Sequence, residues 1–367
     1  MTRPKRHALA IELTAYCNQK CGYCYNDFRE NPAEIGSLSK QDLLRLVDRA
    51  LTEVEFDHVT LTGGEPFARP EIFDILEIIA RHKSRAIIIS NGGIITAEHA
   101  QRLATLPVVF VQITLNGPSA PLHEEHVGQG CFEPTLRGIR TLLEHNVGVS
   151  GSIVVTRKNA RSVADILTVF RELGVVDIAL SRFSPAGYAT SHIAELLPSR
   201  SDLVAALTLA EPFGKNGMHI QVTLPVPPCV IDTHDYPHIT FSSCPIGTEA
   251  QEFALGPRGE LRHCTLHTDV IGNPQTTSFA QLVTSPQVAH YRDVTPEFCA
   301  PCPMKASCIG GCGASAQAVF GTREVDPIVA QHVNDSFASA LSNARKGMEA
   351  FIPANQLVRR TFNQSRA

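Results

Sequence analysis

Three cysteines stand close together near the N-terminus, in the segment CNQKCGYCYN. Cys17, Cys21 and Cys24 are separated by three and then by two residues. A structural zinc ion, or a complete iron–sulfur cube held by one chain, takes four protein ligands. Three thiolates in so short a stretch therefore predict either a fourth ligand from a distant part of the chain or a metal centre with one open position.

More cysteines are concentrated in the C-terminal third of the chain. The sequence has eleven in all, and the others are Cys131, Cys229, Cys244, Cys264, Cys299, Cys302, Cys308 and Cys312. In a reducing compartment, clustered cysteines are more often metal ligands than disulfides. We therefore expect metal binding in both regions, whereas the isolated Cys131 is expected to be a buried structural residue.

The composition is that of an ordinary folded chain, since 43% of the 367 residues are hydrophobic and 19% are charged. The net charge of −4 gives no reason to expect a nucleic acid or an anionic membrane as a partner. No apolar run reaches the roughly 18 residues of a membrane helix, and the N-terminus lacks the apolar region of a signal peptide. We expect a cytoplasmic protein with one large and one small domain.

Residues 8–180 alternate between short apolar runs and amphipathic stretches. Six strands are predicted, at residues 8–14, 58–63, 86–91, 108–116, 150–156 and 175–181. Strands that alternate with helices are expected to be parallel, with right-handed crossovers. Such a sheet is either doubly wound or an incomplete barrel, and in both cases ligands bind at the carboxyl ends of the strands.

Polar or glycine-rich segments follow each of the first four predicted strands. In chain order they are CNQKC, GGEP, SNGG and NGP. Because the carboxyl ends of parallel strands meet at one edge of a sheet, these segments are expected to lie together. The sequence therefore predicts a single site assembled from several strand ends.

The character of the sequence changes after residue 215. The runs QEFALGP and ELRHCTLH flank a GPRGE turn and predict a hairpin, with Cys264 at the end of its second strand. The segment CAPCPMKASCIGGC, residues 299–312, is too irregular to bury an apolar core of its own. We therefore expect the fold of this region to depend on metal. A helix is predicted over 329–352.

The Cys17–Cys24 motif, placed after a strand, resembles that of the radical S-adenosylmethionine (SAM) enzymes. In that family three thiolates hold a [4Fe-4S] cluster, and the amino and carboxylate groups of SAM bind the open iron. The resemblance implies an α/β fold with a partial (β/α)6 barrel, here residues 1–220. It also implies reductive cleavage of SAM to a 5′-deoxyadenosyl radical that abstracts a hydrogen atom from the substrate. The alternative is a zinc site with a distant fourth ligand.

The other strand ends agree with this resemblance. The family's GGE motif, which receives the SAM ammonium, corresponds to Gly63, Gly64 and Glu65. Tyr23 would pack beside the adenine. The remaining positions that resemble the SAM site are Ser90, Asn91, Thr114, Asn116 and Thr156. Val127 stands where related sequences commonly carry an arginine, and the candidates to replace it are His123, His126 and Arg182. No catalytic acid or base is predicted.

The C-terminal cysteines resemble the SPASM extension of radical SAM enzymes, which is a small cysteine-rich iron–sulfur domain. The resemblance implies that this domain spans 221–328 and that a helix and tail follow over 329–367. That extension binds two auxiliary [4Fe-4S] clusters. The resemblance implies these ligands: Cys244, Cys264 and Cys312, with Cys229 as fourth, for auxiliary cluster I, and Cys299, Cys302 and Cys308 for auxiliary cluster II. Val329 stands in the place of the last cysteine of cluster II. An unusual ligand from Asp326 or His332, an open iron, or a degenerate or missing cluster is therefore expected.

Oxidative modification of a ribosomally made precursor peptide is the favoured function. Modification of a small molecule, such as a tetrapyrrole, is the alternative, and a non-catalytic metal-binding interaction protein is the alternative of another class. Thr265 follows Cys264 where sulfatase-maturing relatives carry an aspartate, which argues against that activity. The first strand begins by residue 8, so a separate protein or the C-terminal domain is expected to recognise any leader peptide. The family also implies a flavodoxin- or ferredoxin-type electron donor.

Overall fold

The computed structural model describes residues 3–26 and 37–333. Eleven strands in this part of the chain form one sheet. They are β1 (Lys5–Glu12), β2 (Glu55–Thr62), β3 (Ala86–Ser90), β4 (Val108–Thr114), β5 (Val149–Val155), β6 (Asp177–Arg182), β7 (His219–Val222), β8 (Ile239–Phe241), β9 (Glu252–Leu255), β10 (Leu261–Arg262) and β11 (Val270–Gly272).

Thirteen α-helices lie within the described residues. They are α1 (Lys40–Glu53), α2 (Ile72–Arg81), α3 (Ala97–Leu103), α4 (Ala120–Val127), α5 (Phe132–Glu144), α6 (Val163–Glu172), α7 (Ile193–Leu196), α8 (Arg200–Lys215), α9 (Phe279–Val283), α10 (Pro286–Ala289), α11 (Lys305–Cys308), α12 (Gly313–Phe320) and α13 (Pro327–Val333). None of these described helices has the length and hydropathy needed to cross a bilayer. The predicted C-terminal helix begins at Pro327, and its residues beyond Val333 lie outside the described part.

The sheet order is β11-β10-β9-β1-β2-β3-β4-β5-β6-β7-β8. Strands β1 to β8 are all parallel, with each strand beside its neighbour in sequence. The six predicted strands correspond to β1–β6, so the parallel α/β architecture is confirmed. The sheet continues across the predicted domain boundary at residue 220 through β7 and β8, so six strands were an incomplete prediction.

Apolar packing on both faces explains the central strands. In β1 the residues from His7 to Glu12 are all buried, and the apolar members Leu9 and Ile11 are fully inaccessible to solvent. Helix α1 supplies one covering face, because Leu43, Leu46 and its other apolar residues are buried against the sheet. Buried strands of this kind belong to sheets covered by helices. The carboxyl ends of β1–β6 are thereby held in one row.

The predicted hairpin is present and joins the sheet at its first strand. Strand β9 pairs with β1 in parallel, and β10 pairs with β9 antiparallel. A buried ion pair between Glu12 and Arg262 connects the same two parts of the chain. The C-terminal cysteines therefore belong to a region that extends the barrel sheet.

Candidate active site and cysteine centres

The first cysteine loop follows β1 and is hydrogen-bonded along its backbone to the end of β2. Gly64 N donates to Thr14 O at 2.7 Å, and Glu65 N donates to Tyr16 O at 2.8 Å. The buried side chain of Asn26, just beyond the loop, donates to Gly63 O at 2.7 Å. The GGE segment thus supports the cysteine loop directly, in addition to any contact with a ligand.

The end of α4 and the segment after β6 also form backbone hydrogen bonds with this loop. Lys20 N and Gly22 N donate to the carbonyl oxygens of Val127 and His126, at 2.9 Å each, where α4 ends. Ala189 N, from the segment after β6, donates to Cys24 O at 2.9 Å. Backbone bonds to three separate elements therefore fix the course of residues 14–26.

Gly64 permits this close approach. A Cβ at position 64 would lie 1.9 Å from Tyr16 O and 2.6 Å from Tyr16 C, distances that no rotamer change can relieve because both atoms belong to the backbone. The second glycine of the motif is therefore required by the packing of the cysteine loop against β2.

We expect Gly64→Ala to lower the free energy of unfolding by roughly 1–3 kcal/mol, the usual cost of overpacking, and to reduce the iron content of the purified protein. The matched control is Gly22→Ala in the same loop, where the added Cβ meets its nearest neighbour, Leu196 Cδ1, at 3.4 Å. Chemical denaturation and iron analysis of both variants under anoxic conditions make the measurement. Equal behaviour of the two variants would contradict the steric argument.

Glu65, Ser90 and Asn91 form one hydrogen-bonded group at the ends of β2 and β3. Ser90 Oγ donates to Glu65 Oε1 at 2.8 Å, and Asn91 N donates to Glu65 Oε2 at 2.9 Å. Burial raises the pKa of Glu65 to about 7, while these hydrogen bonds and one from Phe67 N oppose that shift. Asn91 Nδ2 lies 3.7 Å from Cys17 Sγ, so this group reaches the cysteine loop.

Asn116, Thr156 and two histidines form a second polar group, at the ends of β4 and β5. Asn116 N donates to His123 Nδ1 at 3.1 Å, and Asn116 Oδ1 accepts from Val154 N at 2.8 Å. Thr156 Oγ1 lies 2.9 Å from His126 Nε2. Asn116 Nδ2 and His123 Nε2 are buried and have no hydrogen-bond partner among residues 3–26 and 37–333. Buried polar atoms are normally satisfied, so these two are available to a bound ligand.

Tyr23 and Thr114 take different positions around this edge. Tyr23 packs against a small apolar cluster that includes Phe183 and Leu196. Burial, with the nearby Cys21, raises the pKa of its hydroxyl. Thr114 ends β4 and is half-buried. The position of Tyr23 beside an adenine remains a prediction.

Arg182 and Asp326 form a buried ion pair. The Asp326 Oδ2 atom accepts from Arg182 Nη2 and, at 2.7 Å, from Cys312 N, while Oδ1 accepts from Ile328 N at 3.0 Å. Arg182 Nε donates to Pro225 O at 2.8 Å. Asp326 as an iron ligand disagrees with this geometry, because both of its carboxylate oxygens accept hydrogen bonds from the protein. Arg182 Nη1 is buried and has no partner among the described residues, so a role for Arg182 beside SAM stays a prediction.

Cys244, Cys264 and Cys312 come together as predicted, and we call them set A. Cys244 belongs to an apolar cluster with Tyr291, and Cys264 packs against that cluster. Burial raises the pKa of the Cys264 thiol, and the neighbouring thiols of Cys312 and Cys244 add to the effect. Tyr291 Oη is buried beside Gly313, and it has no hydrogen-bond partner among the described residues.

Cys299, Cys302 and Cys308 also come together, but with a fourth cysteine that was predicted for the other set. These three and Cys229 line one cavity, and we call the four set B. Burial raises the pKa of Cys229 to about 12, and the charges of Cys299 and Cys302 raise it further. The residues of set A are not among the causes of this shift. The resemblance led us to expect Cys229 beside Cys244, whereas the structure places it in the cavity lined by Cys299, Cys302 and Cys308.

The thiols of both sets fit iron–sulfur clusters in their chemistry. Burial and mutual repulsion raise the pKa of Cys244 to about 12 and of Cys299 to about 11. Grouped buried thiols of this kind stay protonated unless a cation replaces their protons. Within the described residues, no three His, Cys, Asp or Glu side chains converge on a point that one metal ion could occupy. Thiolates around a cluster each bind a different iron and therefore stand further apart.

Gln19 is a site residue that the sequence did not single out. Its side chain is buried, and Cys21 Sγ donates to its Oε1 at 3.8 Å. Its Nε2 has no partner in the part of the chain that the structure describes. Its place inside CNQKC was the available signal. Tyr291 was also not predicted as a site residue, because nothing in its local sequence indicates that it packs beside set A.

Comparison with known proteins agrees with this geometry. Residues 11–170, from β1 to the end part of α6, match the Radical SAM superfamily. This segment is a radical SAM domain. It contains the first cysteine loop and every strand end described above up to β5.

Two of the relatives that this chain matches differ in their names. The mycofactocin maturase MftC of Mycobacterium tuberculosis is 29% identical over 198 residues, which cover 53% of this chain and 49% of that protein. The chain thus spans about half the length of that relative. The AdoMet-dependent heme synthase of Nitratidesulfovibrio vulgaris is 26% identical over 336 residues, covering 87% of this chain and 90% of that protein.

Solved structures share the fold over most of the chain. The structure of anSMEcpe with bound AdoMet has a TM-score of 0.69, with 18% identity, and covers 97% of this chain and 99% of that one. Streptococcus suis SuiB bound to the precursor peptide SuiA has a TM-score of 0.68, with 15% identity, covering 90% and 76%. At such identities the likeness shows the fold, which here includes the C-terminal cysteine-rich region.

Proposed function

We propose that this protein reductively cleaves SAM and uses the resulting radical to modify a ribosomally made peptide. The observation that carries the proposal is the first cysteine loop, where three thiols share a segment held by backbone bonds at the carboxyl edge of a radical SAM domain. When bound, a [4Fe-4S] cluster and SAM supply the electron and the 5′-deoxyadenosyl radical that removes a substrate hydrogen atom.

The residues of this chain bind and orient that pair of cofactors. Cys17, Cys21 and Cys24 would hold the cluster, and an iron without a protein ligand would be open to SAM. Asn91 contacts both Cys17 Sγ and the Glu65 carboxylate, so it links the cluster ligands to the SAM-binding edge. The proposed SAM contacts are Tyr23, Gly63, Gly64, Glu65, Ser90, Asn91, Thr114, Asn116 and Thr156. Burial of Glu65, Asn116 and Thr156 keeps water from this edge.

Set A and set B are the proposed auxiliary centres. Removal of a hydrogen atom leaves a substrate radical, and an oxidised product requires that one more electron leave the substrate. Buried cysteine groups next to the barrel, with Cys312 hydrogen-bonded to the barrel-paired Asp326, are placed to carry that electron. A flavodoxin- or ferredoxin-type protein is the proposed electron donor.

Peptide modification is favoured by the maturase relative and by the precursor peptide bound to the similarly folded SuiB. A second candidate, modification of a tetrapyrrole, is favoured by one specific observation: the heme synthase relative matches nearly the whole of both chains. A separate leader-binding protein would accompany the peptide activity and has no part in the tetrapyrrole activity.

The test begins with the anaerobically reconstituted full chain, reduced flavodoxin and SAM. We expect 5′-deoxyadenosine to form and a reduced-cluster electron paramagnetic resonance (EPR) signal to shift when SAM is added. A colourless protein that retains zinc and forms no 5′-deoxyadenosine would overturn the proposal in favour of a metal-binding interaction module.

Substrate class is tested in the same assay. Candidate precursor peptides encoded beside the gene are compared with a panel of tetrapyrroles, each supplied with and without bound iron. We expect a peptide to increase 5′-deoxyadenosine formation several-fold and to lose hydrogen in its mass spectrum. Stimulation by the tetrapyrroles alone would transfer the proposal to the tetrapyrrole reaction.

A further inference from the structure

Cys229 lies far from the other members of set B in sequence. It belongs to the connection between β7 and β8, whereas Cys299, Cys302 and Cys308 lie seventy or more residues later, around α11. The fold nevertheless brings all four to one cavity.

Val329 lines the same cavity. This is the residue that stands where the resemblance led us to expect a fourth cysteine. Its apolar side chain cannot bind iron, and the nearby carboxylate of Asp326 is occupied by Arg182, Cys312 N and Ile328 N. Of the described residues that line the cavity, the only thiol beyond Cys299, Cys302 and Cys308 is that of Cys229.

From this arrangement we propose that Cys229 is the fourth ligand of the cluster held by set B, so that a residue from the connection between β7 and β8 completes a centre formed around α11. The inference rests on the proposed iron–sulfur chemistry of this chain. As each iron–sulfur bond forms, the thiol proton passes to solvent, and four thiolates then bind four irons. The assignment also leaves set A with three thiolates, one fewer than a closed cluster needs.

The remaining walls of the cavity suit a closed cluster. Pro227, Phe298, Met304 and Val329 contribute apolar groups to the cavity beside the four thiols, and Lys305 is the one charged residue among the described residues of its lining. Apolar surroundings and complete thiolate ligation exclude water and substrate from the irons. Set B is therefore a centre that passes electrons, whereas set A is the one with a corner free for another ligand.

Alkylation of free thiols tests the assignment. The full chain, reconstituted anaerobically, is treated with iodoacetamide, and the modified cysteines are mapped by mass spectrometry. Three proteins are compared: wild type, Cys299→Ala/Cys302→Ala to remove set B, and Cys244→Ala/Cys264→Ala to remove set A. We expect Cys229 to be protected in the wild type and in the set A variant, and to be modified in the set B variant. Modification of Cys229 in the wild type, or only in the set A variant, would overturn the proposal.

A second measurement covers the case in which a double variant loses its fold. Cys229→Ser is compared with Cys131→Ser, a cysteine outside all three groups, in a Cys17→Ala/Cys21→Ala/Cys24→Ala background. We expect Cys229→Ser alone to change the EPR spectrum or the iron content, and identical spectra would overturn the ligand assignment. Neither readout requires SAM cleavage or a substrate, so failure of the proposed function would leave this result intact.

Discussion

Cys21→Ala is expected to remove roughly four irons per chain and to reduce SAM cleavage to background. Two remaining thiols cannot hold a cluster that must also leave one iron for SAM. Because the loop is fixed by backbone bonds from Lys20 and Gly22 to the end of α4, loss of one side chain should leave its course unchanged. The effect is therefore expected on the metal and not on the fold. Iron and sulfide analysis, with detection of 5′-deoxyadenosine, makes the measurement.

Cys131→Ser is the matched control for that experiment. Cys131 lies at the start of α5, and its Sγ contacts the carbonyl oxygen of Gln129 at 3.8 Å. It belongs to none of the three cysteine groups, so its replacement should leave iron content and SAM cleavage unchanged. Equal loss in both variants would mean general instability, and full activity of Cys21→Ala would refute the role of the loop.

Asp326→Leu is expected to lower the free energy of unfolding by about 3–5 kcal/mol, because it leaves the Arg182 charge buried without its partner. Both residues are almost inaccessible to solvent, and the pair joins the end of β6 to the segment before α13. Arg182→Leu should cost a similar amount. Replacing both residues together should restore much of the loss, since a buried pair often contributes little relative to apolar residues of similar volume.

The double variant also separates the ion pair from the ligand role once predicted for Asp326. If the carboxylate bound iron, Asp326→Leu would lose iron whether or not Arg182 was also replaced, and Arg182→Leu would retain it. We expect instead that iron content follows stability in all three variants. Anoxic denaturant titrations and iron analysis on the same samples give the two quantities.

The parallel strands were predictable because their signal is local. β1 to β6 are five to eight residues long and apolar on both faces, so each stands out in the sequence. β7 and β8 were missed because four and three residues, in a proline-rich stretch, are too few to show a period. The hairpin was recognised from its turn, but its parallel pairing with β1 is a long-range contact that no local pattern contains.

The cysteine loops were also predictable, whereas partners distant in sequence were not. Cys229 was grouped with Cys244 by the resemblance, but the cavity of set B places it with Cys299. Arg182 and Asp326 are 144 positions apart, and only the fold shows that they neutralise each other. His123 was predicted as one of three candidates to replace the missing arginine. Its Nε2 atom is buried and has no partner among the described residues, which supports that prediction.

The attachment of residues 14–26 at three points affects how the enzyme would survive oxygen. Those hydrogen bonds run from backbone to backbone, and the elements that they join pack around an apolar core. We therefore expect the segment to keep its course when the cluster is destroyed. An oxidised centre there could be rebuilt in place by fresh iron and sulfide, without refolding of the chain. Loss and repair of the cluster at this position would then depend only on the supply of iron and sulfide.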